Sequence, residues 1–286
     1  MENKLRYVKG WKKKIKALIP RRAKYTFFAG AIEFLLKHTR WLDGGDEPPP
    51  FMDFSGGSFI PLGNQLVRLM IERGELTDGM KVLDIGCGIG RNAVALSKQF
   101  PHDLSYIGFD IVRFGILWCQ KRFSTRKNYS FVHANIINGF YNPNGLQNAE
   151  SYNFPCTDRS VDFAFATSVY THMKAAEVRH YLAETARCLK PGGAAYCTCF
   201  ILDSESYAQT NAGQTLFRFR HNMGNAFVES VSEPELAVAF ERTAFEEMAT
   251  SAGLNVVAFY PGSWRGIGYA DFQDAYVFQT PATTCP

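Results

Sequence analysis

Residues 82–91 read VLDIGCGIGR, an apolar run that ends in an acid and is followed by three glycines on alternate positions. Lys81–Ile85 is predicted to be a short buried strand, and the apolar spacing after Asn92 predicts a helix. The glycines therefore form a turn between a strand and a helix. Because glycine adopts backbone angles that other residues avoid and lets a ligand approach the main chain, the turn predicts a binding site.

Three ligand classes fit a glycine-rich turn of this kind: a phosphate, a dinucleotide and S-adenosylmethionine. A phosphate loop ends in Gly-Lys-Ser/Thr, whereas Gly90 is followed by Arg91 and Asn92. A dinucleotide fingerprint needs its third glycine where this chain has Arg91. A carboxylate at Asp84 would repel a pyrophosphate but could face the ammonium of a methionine moiety, which favours S-adenosylmethionine. On this motif alone, a glycine turn without a ligand remains an alternative.

The rest of the chain alternates predicted strands and helices. Near-continuous apolar strands separated by helices indicate a parallel sheet covered on both faces. A helix is predicted from Lys174 to the Lys190-Pro191-Gly192-Gly193 stop, and a capping box at Thr243 and Glu246 is predicted to open another. The last two strands have no helix between them, so we expect them to pair antiparallel. The predicted strands after the first lie at 105–110, 129–133, 161–167, 194–202, 254–260 and 272–279.

The motif at 82–90 and the order of elements over residues 60–280 resemble the class I S-adenosylmethionine-dependent methyltransferases. The resemblance implies an α/β, Rossmann-like sheet of seven strands, six parallel and one antiparallel, with helices on both faces. It assigns residues 51–286 to the methyltransferase domain, with an acceptor-side insert at about 203–241. It also implies S-adenosylmethionine as the cofactor.

The resemblance assigns cofactor contacts to residues at the ends of the first four strands. Asp110 would accept hydrogen bonds from the ribose hydroxyls, although an aspartate there could instead cap the next helix. Asn135 stands where the family often has an aspartate for the adenine amino group, and its amide oxygen can accept the same bond. The full predicted cofactor set is Asp84, Gly86, Gly88, Gly90, Asp110, Ile111, Asn135, Ile136 and Thr167.

Residues 166–173 follow the fourth strand and read ATSVYTHM, where the fold exposes side chains to the methyl acceptor. They lack the Asn/Asp-Pro-Pro-Tyr/Phe sequence typical of methyltransferases that act on amino groups of bases, which favours an oxygen acceptor. His172 is the predicted general base, because its pKa lies near the working pH. A histidine that merely bonds the nearby backbone is the alternative. Tyr170 is a second candidate, and no carboxylate pair has metal-ligand spacing.

Three further segments are predicted to contact the acceptor or to cover the site. The aromatic, glycine-bearing loop 51–59 contains Phe54 and stands where the family often places a lid. The insert alternates aromatic and cationic residues around Arg218, and Trp264 lies in the turn between the last two strands. Each aromatic side chain could instead be a packing anchor.

Residues 1–40 hold twelve lysines and arginines against two glutamates, whereas the other 246 residues carry 19 basic and 25 acidic groups. Their pattern is compatible with two amphipathic helices broken near Pro20. Such a basic extension could contact a membrane surface peripherally, bind nucleic acid or pack as a cap on the domain. Residues 43–50 are a Pro-rich linker by composition, which closes a predicted extension of residues 1–50.

Composition predicts a cytoplasmic protein, because no apolar run is long enough for a membrane span or a secretion signal. The seven scattered cysteines indicate reduced thiols rather than a disulfide framework. The leading functional prediction is methyl transfer to a hydroxyl of a small molecule, sugar or lipid-linked glycan. The alternatives are a nucleic-acid or protein methyltransferase steered by the basic extension, and a non-catalytic protein that binds S-adenosylmethionine. The alternation of basic and aromatic residues around Arg218 is only five residues long, so it supports nucleic-acid binding only weakly.

Overall fold

A computed structural model of the chain describes residues 29–38, 45–54 and 56–282. The helices are α1 (Ala29–His38), α2 (Phe59–Gly74), α3 (Arg91–Gln99), α4 (Arg113–Arg122), α5 (Ala175–Cys188), α6 (Ser204–Asn211) and α7 (Arg242–Ser251). The strands are β1 (Lys81–Ile85), β2 (Ser105–Asp110), β3 (Tyr129–His133), β4 (Val161–Ala166), β5 (Leu189–Cys199), β6 (Ile201–Leu202), β7 (His221–Asn222), β8 (Phe227–Val228), β9 (Val238–Glu241), β10 (Asn255–Tyr260) and β11 (Asp274–Gln279).

Seven strands form one sheet in the order β10-β11-β5-β4-β1-β2-β3. Six run parallel, and β11 lies antiparallel between β5 and β10. Asp84 is in register with Gly108 on one side and with Phe165 on the other, which makes β1 a central strand. The predicted Rossmann-like sheet, its single antiparallel strand and the bounds of β1 to β3 are confirmed.

Successive residues of the central strands point to opposite faces of the sheet, so the core has two layers. Val82 and Phe163 pack on the side covered by α2, α3 and α4, whereas Leu83 and Ala164 pack on the side covered by α5 and α7. All four side chains are fully buried. Burial on both faces explains the near-continuous apolar runs in the sequence.

Several predicted element boundaries are wrong. The strand predicted at 194–202 ends at Cys199, with Ile201–Leu202 forming the separate strand β6, and the last strand begins at Asp274 rather than at 272. β5 begins at Leu189 rather than at position 194, because Leu189 pairs with Val161 and the following glycines form a bulge. Gly192 has φ +75°, a conformation that lets the chain loop out and rejoin the strand. The Thr243 capping box does not form, since α7 begins at Arg242 and Glu246 accepts a hydrogen bond from that residue's Nε over 2.8 Å.

The insert forms a second, small sheet in the order β6-β9-β8-β7, with α6 beside it. A third buried cluster holds this unit together, and it includes Phe200, Phe219 and Trp264. Phe200 and Trp264 meet edge to face with ring centroids 5.3 Å apart, a favoured geometry for aromatic pairs.

The described part of the N-terminal extension, α1, packs against α4. Its Ile32 and Leu36 are buried in the core, and Lys121 Nζ donates to the Leu36 carbonyl over 3.0 Å. This helix therefore behaves as a cap on the domain. Residues 1–28, which carry ten of the twelve basic groups of the extension, lie outside the described residues, as does the predicted break at Pro20.

The expectation that all cysteines are reduced is wrong for one pair. Cys156 and Cys188 form a disulfide, because the loop before β4 returns to the end of α5 and brings their Cα atoms to 6.2 Å. Cys87, Cys119, Cys197 and Cys199 are free and buried. Among the helices of the described residues, none has the length and apolar character that a membrane crossing requires.

Candidate functional site

A cavity of about 590 Å³ opens at the carboxyl ends of the parallel strands. That edge is where open α/β sheets bind ligands, and the volume lies in the usual range for small-molecule sites. Eight of the predicted site residues line it: Phe54, Gly86, Gly88, Asp110, Ile111, Ile136, Thr167 and His172.

The glycine turn has the conformation that its sequence predicts. Gly86, Gly88 and Gly90 have φ values of +72°, +58° and +79°. A Cβ on Gly86 would lie 2.5 Å from Val169 Cγ2, so the turn and the segment after β4 can pack together only without a side chain there. The main chain of the turn thereby forms one wall of the cavity.

Asp110 ties the glycine turn to the start of the next helix. Its Oδ2 accepts a hydrogen bond from the Gly88 N–H over 2.8 Å, and its Oδ1 accepts from the Val112 N–H over 2.7 Å. Burial raises the pKa of this carboxyl to about 6, although the backbone N–H groups oppose that shift. Each oxygen has accepted one of these bonds and keeps a further lone pair for a ligand.

Asn92 and Thr167 form a polar pair on the cavity wall beside the turn. Asn92 Nδ2 donates to Thr167 Oγ1 over 3.0 Å. Asn92 Oδ1 is buried and has no hydrogen-bond partner within the part of the chain that the structure describes. A buried amide oxygen without a donor is costly, so this atom is suited to accept a bond from a ligand.

His172 ends a short helical turn, Tyr170–His172, and lines the cavity. Its Nδ1 lies 2.8 Å from the backbone carbonyl of Glu235, which can only accept, so the proton of the neutral ring is on Nδ1. Burial lowers the pKa of His172, and the bond to Glu235 opposes that shift. The lowered pKa favours the neutral ring, and in the neutral ring a proton on Nδ1 leaves Nε2 unprotonated.

The other end of the cavity lies over β4, β5 and the start of β11. Leu62, Leu66 and Leu69 line it from one face of α2. Ser168, Thr198 and Gln273 contribute polar side chains from three different strand ends. No local sequence pattern marks these residues, because they are far apart in the chain and meet only in the folded sheet.

Residues 63–258 match the model of the family described as methyltransferase domain. The chain belongs to this family. Among solved structures, a methyltransferase dependent on S-adenosylmethionine from Methanosarcina mazei has the same fold, with a TM-score of 0.52 and 18% identity over 74% of this chain and 98% of that one. S-adenosylmethionine is therefore the cofactor of this methyltransferase.

Two curated relatives match shorter stretches. The phthiotriol/phenolphthiotriol dimycocerosates methyltransferase 1 of Mycobacterium ulcerans is 32% identical over 118 residues, which are 40% of this chain and 35% of that protein. An O-methyltransferase of Aspergillus nomiae is 27% identical over 140 residues, or 49% of this chain and 55% of that one. The chain thus spans about a third to about half of the length of these relatives.

The methyltransferase's cavity fits the chemical groups of its cofactor. The two oxygens of Asp110 suit a pair of ribose hydroxyls, and Ile111 and Ile136 supply apolar surface for a base. The unpartnered Oδ1 of Asn92 suits the ammonium of the methionine end. Phe54 packs edge to face on Phe114, with centroids 5.5 Å apart, and it lines the cavity together with Gly56 and Gly57.

Asp84 does not play the electrostatic part that the sequence suggested. It is fully buried behind the turn, where its Oδ2 accepts a hydrogen bond from Tyr106 Oη over 2.7 Å. Burial raises the pKa of this carboxyl to about 8, which favours its neutral form over a charge directed toward a ligand. Asp84 does not line the cavity.

Two other predicted cofactor residues also lie off the cavity lining. Asn135 is absent from the cavity lining, and its Oδ1 accepts a hydrogen bond from Asn142 Nδ2 over 3.2 Å. Gly90 is the N-cap of α3. A Cβ there would lie 2.7 Å from Cys119 Sγ, so close packing explains why position 90 is a glycine.

Three predicted catalytic or acceptor residues lie outside the cavity lining as well. Tyr170 is buried in the core against Phe245, with ring centroids 6.1 Å apart. Trp264 is fully buried, and its Nε1 donates to Asp274 over 2.8 Å, which makes it a packing anchor. Arg218 is exposed on the insert. No group of acidic, His and Cys side chains in the described ranges could hold a metal ion.

Proposed function

We propose that this methyltransferase acts on a hydroxyl oxygen of a small molecule, a sugar or a lipid-linked glycan, with His172 as the general base. The observation that carries the proposal is the 2.8 Å contact between His172 Nδ1 and the Glu235 carbonyl. The Nδ1–H of His172 is committed to the Glu235 carbonyl, so the unprotonated Nε2 is the nitrogen that can take a proton. A hydroxyl needs such a base, because its oxygen becomes a good nucleophile as its proton leaves.

When bound, S-adenosylmethionine supplies an electrophilic methyl group on a sulfonium. Most of the rate enhancement of such a displacement can come from holding the acceptor oxygen in line with that methyl group. His172 adds proton removal at the acceptor oxygen. The Glu235 carbonyl then stabilises the imidazolium, because the Nδ1–H···O bond strengthens when the ring becomes positively charged.

Two further observations support an oxygen acceptor. Residues 166–173 contain no Asn/Asp-Pro-Pro-Tyr/Phe sequence. One of the relatives is named an O-methyltransferase, and another is named for phthiotriol and phenolphthiotriol lipids. Apolar walls from Leu62, Leu66 and Leu69 suit an acceptor with an apolar body.

The test is to incubate the protein with cofactor carrying an isotopically labelled methyl group and with extracts of its source cells. Mass spectrometry then identifies the labelled product and the atom to which the labelled methyl group is bonded. An O–CD₃ product supports the proposal, whereas label found only on nitrogen, sulfur or carbon contradicts it. Acceptor or membrane contacts of residues 1–28 stay a prediction, which the same assay on a chain starting at residue 29 addresses.

A further inference from the structure

Three polar residues stand together on the cavity lining, next to Thr167 of the predicted cofactor set. They are Ser168 after β4, Thr198 in β5 and Gln273 just before β11. Because β11 runs antiparallel to β5, its beginning lies at the same sheet edge as the carboxyl ends of β4 and β5. The topology therefore brings these three residues together at one place on the cavity lining.

Their hydrogen bonds form a closed ring. The Ser168 N–H donates to Thr198 Oγ1 over 2.8 Å, and the Thr198 hydroxyl donates to Gln273 Oε1 over 2.6 Å. The Ser168 hydroxyl donates to the same Oε1 over 3.0 Å. Two donors thus hold the oxygen of the Gln273 carboxamide and fix which way the amide faces.

Once its oxygen is held in this way, the carboxamide presents its Nε2 as the available group. Among the described residues, no hydrogen-bond partner is found for Nε2 of the half-buried Gln273. Ser168 has φ +58°, an unfavourable conformation for a residue with a Cβ. Backbone strain of this kind is concentrated at functional sites, where the surrounding structure maintains it.

The other polar groups nearby are already paired. Asp271 Oδ2 forms an ion pair with Arg73 NH1 over 2.6 Å, and its Oδ1 accepts from Gln65 Nε2 over 3.3 Å. Leu62, Leu66 and Leu69 line the same cavity and give it apolar surface. The carboxamide N–H groups of Gln273 are neutral donors.

We propose that Gln273 recognises the methyl acceptor by donating an N–H to a carbonyl or ether oxygen on an otherwise apolar body. Such an oxygen accepts hydrogen bonds but cannot donate them, and a neutral donor binds it without the desolvation cost of a charge. Ser168 and Thr198 are the positioning residues. The inference rests on the proposed transfer to an acceptor in this cavity, and it deepens that proposal by naming a second oxygen on the acceptor.

The test uses two fragments of matched shape on protein saturated with S-adenosylhomocysteine, the demethylated cofactor. Acetophenone has a C=O where α-methylstyrene has a C=CH₂, so only the ketone can accept a hydrogen bond. Ligand-observed NMR titrations give the ratio of their dissociation constants. We expect the wild type to prefer acetophenone at least fivefold. Gln273→Glu and Gln273→Met should both reduce the ratio to within twofold of one, because each lacks the N–H donor.

Gln279→Glu is the matched control, since it makes the same change at the opposite end of β11, where Nε2 donates to the Gly192 carbonyl. Its ratio should equal that of the wild type. A wild type that does not discriminate between the fragments overturns the inference, and so does a preference that survives in both Gln273 variants. A tenfold loss of S-adenosylhomocysteine affinity in both variants also overturns it, because Gln273 would then belong to the cofactor site.

These fragments need no methyl transfer, so the result is independent of the proposed chemistry. A fragment preference that depends on Gln273, together with methylation only at nitrogen, would contradict the proposed O-methylation and leave this inference standing. A wild type that does not prefer acetophenone, together with confirmed O-methylation, would contradict this inference and leave the proposed O-methylation standing. Gln273→Met adds no charge, so it separates loss of the donor from repulsion.

Discussion

His172 Nδ1 and the backbone carbonyl of Glu235 lie 2.8 Å apart, although 63 positions separate the two residues in the chain. Glu235 belongs to a short helical turn of the insert, Pro234–Leu236. Its carbonyl fixes the histidine tautomer, which leaves Nε2 free of a proton. The insert after β5 therefore helps to prepare the proposed base, in addition to forming a separate layer beside the sheet.

Replacing His172 with Gln should lower kcat by about 10²-fold or more, because general bases contribute about 10²–10⁴ to such rates. The dissociation constant for S-adenosylmethionine should change less than twofold. Because burial lowers the pKa of His172, wild-type kcat should hold at neutral pH and fall only in acid, where the imidazole becomes protonated. Steady-state kinetics on the acceptor found by isotope labelling would measure this.

His102→Gln is the matched control for that experiment, because His102 is exposed in the turn before β2. Its kinetics should be those of the wild type. Full turnover by His172→Gln, with an unchanged pH profile, would remove His172 from the mechanism and leave it as a histidine bonded to nearby backbone.

Asp110→Asn should weaken S-adenosylhomocysteine at least tenfold. The amide has one acceptor oxygen, and its NH₂ would face the backbone N–H of Gly88 or of Val112. Wild-type affinity should also fall as the pH drops through about 6, since protonation of the carboxyl removes an acceptor. Calorimetry between pH 5 and 8 measures both effects, with the exposed Asp103→Asn as control. Equal pH dependence in wild type and Asp110→Asn would contradict the assignment.

The sequence predicts those features of the fold that depend only on residues close together in the chain. The bounds of β1 to β3 follow from their apolar runs. The positive φ angles of Gly86, Gly88 and Gly90 follow from the conformational freedom of glycine. The sequence motif predicts a charged carboxylate at Asp84. The charge depends on how deeply this side chain is buried behind the turn, and the motif does not reveal that burial. Gln273 and Glu235 could not be found at all, since their role depends on strand order and on an insert that returns to the site.

The raised pKa of Asp84 makes the stability of the fold depend on pH. Its folded pKa of about 8 lies above its ordinary value of 3.8, so between these values the folded state binds more protons than the unfolded state. Stability must then decrease as pH rises through this window, by at most about 1.4 kcal/mol per pH unit. Asp84→Asn cannot ionise, and its amide oxygen can still accept from Tyr106. The free energy of unfolding of the wild type, measured relative to that of Asp84→Asn, should therefore decrease from pH 5 to pH 8.

Urea unfolding of both proteins at each pH would measure that difference, with Asp103→Asn as a control that should run parallel to the wild type. Parallel curves for wild type and Asp84→Asn would show instead that Asp84 is ionised in the fold, and would restore the charge that the sequence suggested.

Gly86→Ala should destabilise the fold and abolish cofactor binding for two separable reasons. The positive φ costs about 1–2 kcal/mol for a residue with a Cβ, and the new methyl would collide with Val169, which adds about 1–3 kcal/mol of overpacking. Gly213 has nearly the same φ, +71°, and no atom lies within 4 Å of the position that a Cβ would take there. Gly213→Ala should therefore show only the first cost.

The double variant Gly86→Ala/Val169→Ala completes the comparison, because it keeps the φ cost and removes the colliding side chain. Denaturant unfolding and calorimetry with S-adenosylhomocysteine should place it between the wild type and Gly86→Ala in both stability and affinity. If it were no better than Gly86→Ala, the close approach of the turn to the segment after β4 would not be the reason for glycine at this position. Gly86 would then be required for its backbone angles alone.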